Sequence, residues 1–282
     1  MGIFINTNLS SMHAQHELGQ VSRDLGQSFE RLSSGHRVNS AADDASGLSI
    51  GTRMSSQVRG FNQAIRNAND GVSLMQTVDG ALAGTAAALQ RIRDIAVQSA
   101  NDTVNTEDRE TMWLEVEELV EEIDRIASDS YNGQSLLSGG TDMTFHIGAN
   151  KDQTLTLTMD EMTANALGVD TTTVLTTTDL ANMTQASGQE HSETLISLAD
   201  SALNAVSDLR GKLGAADNRF QHAIGNMEAA KRETSGSRAQ IMDTDFANET
   251  GIMTRKSILQ QATTAMLAQA NAQPQLAMQL LG

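Results

Sequence analysis

VRGFNQAIRNANDGVSLMQTVDGALAGTAAALQRIRDIAVQSA, residues 58–100, decides the fold. Its apolar members Val58, Phe61, Ile65, Ala68, Val72, Met75, Leu82, Ala86 and Leu89 keep a three-and-four spacing, with Asp79 and Arg93 as polar intrusions. That spacing puts them on one seam of a helix for more than four heptads. Helical from about residue 45 to residue 100, the element is roughly 80 Å long at ~1.5 Å per residue. Few compact domains hold such a helix; rods do.

Composition permits long helices and little else. The 282 residues include one proline and no cysteine, 3% are aromatic, and the 39% that are hydrophobic are rich in Ala, Leu and Ile. Proline is the strongest helix breaker, so a single one argues against many short strands. Without cysteine there are no disulfides, thiolate zinc sites, iron–sulfur clusters or cysteine nucleophiles. So few aromatics make a thick globular core a poor reading.

Working toward the N-terminus, Ala14, Leu18, Val21, Leu25, Ser28 and Leu32 form a shorter heptad seam with one polar member. Residues 31–47, RLSSGHRVNSAADDASG, are small and polar and read as a non-helical linker. Toward the C-terminus, residues 101–106 are a polar break, and Thr106 reads as an N-cap ahead of Glu107, Asp108 and Glu110. Met112, Val116, Leu119, Ile123 and Ile126 then mark a further helix, closed by a turn at residues 131–133. Between them lie Glu115, Glu117, Glu118, Glu121 and Glu122, read as a solvated acidic face and not as a metal site.

Residues 141–188 differ in kind. Met143, Phe145 and Ile147 alternate with polar residues, as do Leu155, Leu157 and Met159, which is a β-hairpin pattern. Thirteen of these 48 residues are threonine, including Thr171–Thr173 and Thr176–Thr178, which favours extended or irregular surface structure. From about residue 190 the helical seam returns at Leu195, Leu198, Ala202, Ala205 and Leu209 and continues to Ala230, with Ser235–Ser237 as an interruption. In the last segment Ile252, Leu259, Met266 and Leu280 hold heptad positions, Gln273 replaces the missing member, and Ala262 and Leu276 flank the row. Pro274 falls within it and costs one helical hydrogen bond.

The fold expected is mainly α: a long antiparallel helical rod or coiled-coil bundle formed by both chain ends, with a small β-hairpin patch in the middle. Residues 1–36 with 240–282 make one terminal coiled-coil domain, and residues 37–239 a helical rod carrying the insert at about 141–188. A two-helix pairing of narrow seams cannot bury enough surface to offset its ordering entropy. Many copies side by side can. The polymerisation seam expected is Leu18, Val21, Leu25, Leu32, Ile252, Leu259, Ala262, Met266, Leu276 and Leu280.

Charge sorts the same way. The net −16 is carried by residues 101–200, which alone sum to −17, and both ends are nearly neutral. No basic stripe exists for nucleic acid, and no apolar run is long enough for membrane insertion. Residues 1–18 lack the basic and apolar regions of a cleaved signal, so composition alone points to the cytoplasm.

Enzymatic chemistry is missing. His13, His16 and Glu17 stand in the order H-x-x-H-E, whereas a zinc protease helix needs H-E-x-x-H. P-loop, dinucleotide and nucleophile-elbow patterns are absent. We expect no catalytic residues, no cofactor and no metal.

Several stretches resemble bacterial flagellin. INTNLSSMHAQHEL at residues 5–18 and RLSSGHRVNSAADDASGLSIGTRM at 31–54 are similar to the family's opening signature. ALQRIRDIAVQSAN at 88–101, KLGAADNRFQHAI at 212–224 and MDTDFANET at 242–250 are further matches. ILQQATTAMLAQANAQPQLAMQLLG at 258–282 looks like the family's C-terminal tail. The similarity covers roughly residues 1–140 and 190–282, which implies a short form lacking the outer domains of longer flagellins.

The resemblance implies a structural subunit of the helical flagellar filament used for swimming, assembled from many copies of itself. It implies termini that order on polymerisation, and export, unfolded, through the flagellar type III apparatus. The location implied is then the extracellular filament, or a periplasmic one for a spirochaete, in place of the cytoplasm. Implied partners are an export chaperone holding Ile258, Leu259, Met266, Leu267, Leu280 and Leu281, filament cap and hook-junction proteins, and the host Toll-like receptor for flagellin. The positions matching the receptor patch are Leu89, Gln90, Arg91 and Glu115, with Ile92 and Asp94 departing from the commoner Val and Glu. A hook–filament junction protein is the alternative reading, disfavoured by LQRIRDIAVQSAN and the QANAQPQ…LL ending.

Overall fold

The computed structural model describes residues 7–139, 142–170 and 185–281, with side chains at 188–273 of the last stretch. Five helices and two small antiparallel strand pairs make up its regular structure among the described residues. The helices are α1 (Leu9–Ser34), α2 (Ala41–Ser99), α3 (Thr106–Ser128), α4 (Gln185–Met242) and α5 (Phe246–Leu281). The strands are β1 (Ser130–Tyr131) paired with β2 (Gln134–Ser135), and β3 (Asp142–His146) paired with β4 (Thr154–Thr158). The expected mainly helical fold with a central β patch is what forms. The chain packs as two compact units, Met1–Val58 with Arg232–Gly282, and Arg59–Lys231.

Helix ends follow local chemistry. Asn8 caps α1 by accepting the Ser11 N–H at 3.0 Å. Gly35 ends it in the left-handed region, its N–H donating to the Arg31 carbonyl at 2.9 Å. The linker expected over 31–47 is therefore shorter, spanning 35–40. Asp44, extended at φ −164°, accepts the Gly47 N–H at 2.8 Å and caps the continuous part of α2. Asn105, not Thr106, caps α3, because it is the Asn105 side chain that accepts the Asp108 N–H, at 2.7 Å. Asp245 accepts the N–H groups of Ala247 and Asn248 at the start of α5.

Two further expectations are corrected. Residues 235–237 do not interrupt a helix: α4 runs through them to Met242, since small polar residues without proline leave every backbone bond available. Pro274 lies within α5, which runs on to Leu281, as the sequence row implies. Residues 131–133 are more than a closing turn. Asn132 and Gly133 both have positive φ, 53° and 79°, which is the type I′ geometry that joins β1 to β2 in a tight hairpin. Thr171–Thr173 and Thr176–Thr178 lie outside the described residues.

In the unit Arg59–Lys231, α2 and α4 run antiparallel, as the pairs Arg93–Asp200 at 2.6 Å and Arg210–Asp79 at 2.7 Å show. Leu82, Leu89 and Ile92 of α2 are fully buried with Val116, Val120 and Ile123 of α3 and Val206 and Leu209 of α4. Arg109 is fully buried too. Its guanidinium donates to the carbonyls of Ser99 (2.9 Å) and Asn101 (3.0 Å), satisfying the C-terminal end of α2.

Alternation in β3 and β4 turns Phe145, Leu155 and Leu157 inward and Thr144, Thr154, Thr156 and Thr158 outward, as the sequence pattern requires. Phe145 meets Phe220 of α4 edge-on, with ring centroids 5.3 Å apart and planes at 85°. A Cβ at Gly71 of α2 would stand 2.9 Å from the Phe220 ring, so glycine there admits the aromatic pair. Because Phe220 is fully buried, Phe220→Ala should lower the unfolding free energy by about 3–5 kcal/mol. Urea denaturation followed by the fluorescence of Trp113, the single, buried tryptophan, measures this; a loss below about 1 kcal/mol contradicts the packing described.

Candidate assembly surface

The unit Met1–Val58 with Arg232–Gly282 is built on α1 and α5, which lie antiparallel. Asn8 Nδ2 donates to the Ala270 carbonyl at 2.7 Å and Ser11 Oγ to Asn271 Oδ1 at 2.8 Å. Lys256 pairs with Asp24, Gln260 donates to Ser22 at 3.4 Å, and Arg31 lies 3.9 Å from Glu249. The contact itself is made of small groups: the buried positions are Ser11, Val21 and Ser28 on α1 and Glu249 and Ala270 on α5. Leu18, Leu25, Leu32 and Ile252 are half-buried beside them.

Large apolar side chains point the other way. Leu9, Met12 and Phe29 of α1 and Phe246, Ile258, Leu259 and Met266 of α5 expose between 44% and 69% of their surface. Ala262 is exposed as well, and Leu267 half-buried. A groove of about 880 Å³ runs between the helices, walled by Leu9, Ala14 and Val21 on one side and Leu259, Met266 and Ala270 on the other. Of the expected seam, Val21 is buried, Leu18, Leu25, Leu32 and Ile252 are half-buried, and Leu259, Ala262 and Met266 are exposed. The side chains of Leu276, Leu280 and Leu281 lie outside the described ones. Leu9, Met12, Phe29 and Phe246 were not expected from the sequence, because they stand off the heptad row that the spacing marks.

Where α1 and α5 meet the ends of α2 and α4, polar groups close the junction. Thr244 N–H donates to the Gly35 carbonyl at 2.9 Å and Arg37 N–H to that of Met242 at 2.6 Å. His36 Nδ1 lies 2.9 Å from Asp243 Oδ1. Asp43 is held harder still. It accepts the Ser40 N–H at 2.9 Å, the Gln27 side-chain amide at 2.7 Å and the Asn39 N–H at 3.1 Å. These hydrogen bonds, the Ser40 one foremost, lower its pKa from 3.8 to about 2. Nothing in the composition marks Asp43, although Ser40 three residues before it fits a local turn.

In the other unit, Gln90, Arg91 and Glu115 come together on the surface of α2 and α3, with Arg91 and Glu115 in an ion pair at 2.6 Å. Leu89 does not join them at the surface; it is fully buried in the core beneath. Glu115, Glu117, Glu118 and Glu121 are exposed, as a solvated acidic face requires. No group of acidic and histidine residues able to hold a metal ion occurs among the described residues.

Residues 5–142 match the bacterial flagellin N-terminal helical region, and residues 196–281 match the bacterial flagellin C-terminal helical region. The chain belongs to the bacterial flagellin family. This flagellin is 41% identical over 288 residues to the flagellar filament 30.7 kDa core protein of Treponema maltophilum, with 99% of this chain and 100% of the relative covered. It is 40% identical over 282 residues to the flagellin of Halalkalibacterium halodurans, with the same coverage. A solved structure described as a flagellar hook-associated protein from Vibrio parahaemolyticus shares the fold, with a TM-score of 0.53 at 15% identity over 71% of this chain and all of that one. As a flagellin it is a structural protein and not an enzyme.

The lowered pKa of Asp43 fixes a pH window for the junction. A carboxylate depressed in the folded chain contributes stability fully above pH 3.8 and loses it as pH falls through about 2. The Asp43 carboxyl carbon, followed by NMR, should titrate near 2, and Asp43→Asn should remove that acid-dependent step. A midpoint at the ordinary 3.8 contradicts the hydrogen bonding described.

Proposed function

We infer that this flagellin is the repeating subunit of a bacterial flagellar filament, and that copies join by burying the outward apolar faces of α1 and α5. One observation carries the reading: α1 and α5 spend small side chains on each other and leave Leu9, Phe29, Ile258, Leu259 and Met266 in water. Exposed apolar rows of this kind mark interaction surfaces. Further copies satisfy them, because every copy brings the same groove and the same ridges. Residues 1–36 with 240–282 are the inner-core domain in this reading, and residues 37–239 the helical body that carries the insert at about 141–188. The polymerisation seam in this reading is built on the exposed Leu259, Ala262 and Met266 and continues along the same sequence row to Leu276 and Leu280. The two ends gain their full order on assembly.

Before assembly the same surface needs a mask. An export chaperone covering Ile258, Leu259, Met266, Leu267, Leu280 and Leu281 supplies one during passage through the flagellar type III apparatus. Filament cap and hook-junction proteins bind the ends of the polymer. The finished filament is extracellular, or periplasmic if the source is a spirochaete. Gln90, Arg91 and Glu115 form the surface presented to the host Toll-like receptor, with Leu89 supporting them from below.

Leu259→Asp and Met266→Asp test the reading. Both positions are exposed in the single chain, so neither variant disturbs its folding. A carboxylate trapped between copies costs several kcal/mol, and polymer yield should drop by about a hundredfold or more. Electron microscopy after seeding, with circular dichroism as the folding control, provides the measurement; normal filaments from both variants overturn it. The charge of −17 over residues 101–200 gives a second test. Seeded growth should quicken as salt rises toward ~0.15 M, where the Debye length is ~8 Å; a salt-independent rate, followed by light scattering, argues against charge repulsion between neighbours.

A further inference from the structure

Methionines are unevenly placed in this molecule. Met75, Met159, Met162 and Met227 are buried, and among the described side chains only Met12 and Met266 are exposed, at 59% and 69%. The two differ in position. Met266 lines the groove between α1 and α5, with Leu259 and Ala270 on its own helix and Leu9 and Val21 across from it. Met12 does not line that groove. Thus the most exposed of the large apolar side chains is also the most readily oxidised type, set in the wall that a neighbouring copy has to cover.

We propose that Met266 is an oxidation site through which a peroxide switches off the subunit's ability to assemble. The Met266 thioether sulfur attacks one peroxide oxygen, the O–O bond breaks, and an S–O bond forms. Sulfur gives up two electrons, the peroxide is reduced, and with hydrogen peroxide the leaving group is water after proton transfer. The sulfoxide is polar and a hydrogen-bond acceptor, so it holds water in a groove whose closure requires a dry apolar contact. The modification acts on the free subunit only. Once a neighbour covers the groove, the sulfur is shielded and the polymer resists the same treatment. This rests on the assembly reading above, and the experiment separates the two.

Full-length protein is treated with hydrogen peroxide, quenched and seeded, beside Met266→Leu and Met12→Leu treated alike and Met266→Gln left untreated. Sulfoxide at each methionine is followed by peptide mass spectrometry. Met266 should oxidise at least about tenfold faster than Met75, Met159 and Met227 in the free chain, and much more slowly in preformed filaments. The critical concentration should rise at least about tenfold on treatment of the wild type and of Met12→Leu, and equally in untreated Met266→Gln, while treated Met266→Leu assembles normally. The proposal falls if Met266 oxidises no faster than the buried methionines, if treated Met266→Leu is inhibited as strongly as the wild type, or if Met266→Gln assembles normally. In those cases the assembly reading stands, because untreated protein still forms filaments. Should untreated wild-type protein form none, the assembly reading fails and the switch with it.

Discussion

The contact between α1 and α5 is the constraint on which the remainder depends. Two helices joined through Ser11, Val21, Ser28 and Ala270 approach closely but remove little apolar surface from water. Burial at about 25 cal/mol per Å² is the main term that offsets chain entropy, and this pair collects little of it. The larger side chains that would supply it are turned outward. A chain with this arrangement carries unspent association energy along its length, available only to something that fits against both helices together. The other unit differs: most of its leucines, isoleucines and valines meet one another inside α2, α3 and α4, although Val97 and Leu114 are exposed.

Charge is divided to match. The acidic excess lies in residues 101–200, where α3 exposes one glutamate after another, and the chain ends that carry the apolar faces are close to neutral. Like charges at a contact would oppose packing, whereas the same charges on a surface left in water keep chains apart and soluble. Ion pairs such as Arg210–Asp79 and Lys212–Asp160 are half-exposed and serve mainly to fix helix against helix and helix against the segment after β4.

How far the sequence could be read depended on what each residue answers to. The heptad rows of residues 58–89 and the alternation of residues 143–159 are periodic over many positions, so they specify helix and hairpin directly. A period marks a stripe, however, and not the partner that covers it. Val21 and Leu259 look equivalent in the sequence, yet one lies against a neighbouring helix and the other faces water. Arg109 was invisible for a related reason: a cation in the first turn of a helix looks unfavourable until α2 ends beside it and offers its carbonyls. The cap at Asn105 was missed by one residue because Thr106 is an equally good candidate, and only the reach to the Asp108 N–H separates them. Residues 235–237 have the composition of a break, but weak helix formers are carried through when both flanks are helical.

Small residues at a helix contact leave the pair's register poorly defined, since a shift by one heptad replaces one modest contact with another. The polar contacts of α1 and α5 remove that freedom. Asn8 reaches the Ala270 carbonyl at one end, Thr244 reaches Gly35 at the other, and Arg31 lies 3.9 Å from Glu249 between them. Slipping α5 by seven residues moves each of these partners by about 10 Å, at ~1.5 Å per residue, and breaks all of them at once. It would also leave Glu249, now 5% exposed, as a buried charge without its cation. Buried polar groups of this kind add little to stability, but they discriminate between registers that apolar contact alone does not distinguish. A subunit that repeats itself against many neighbours requires that discrimination more than it requires stability: an outer face shifted by one heptad in a single copy would present Met266 where its neighbours present Leu259.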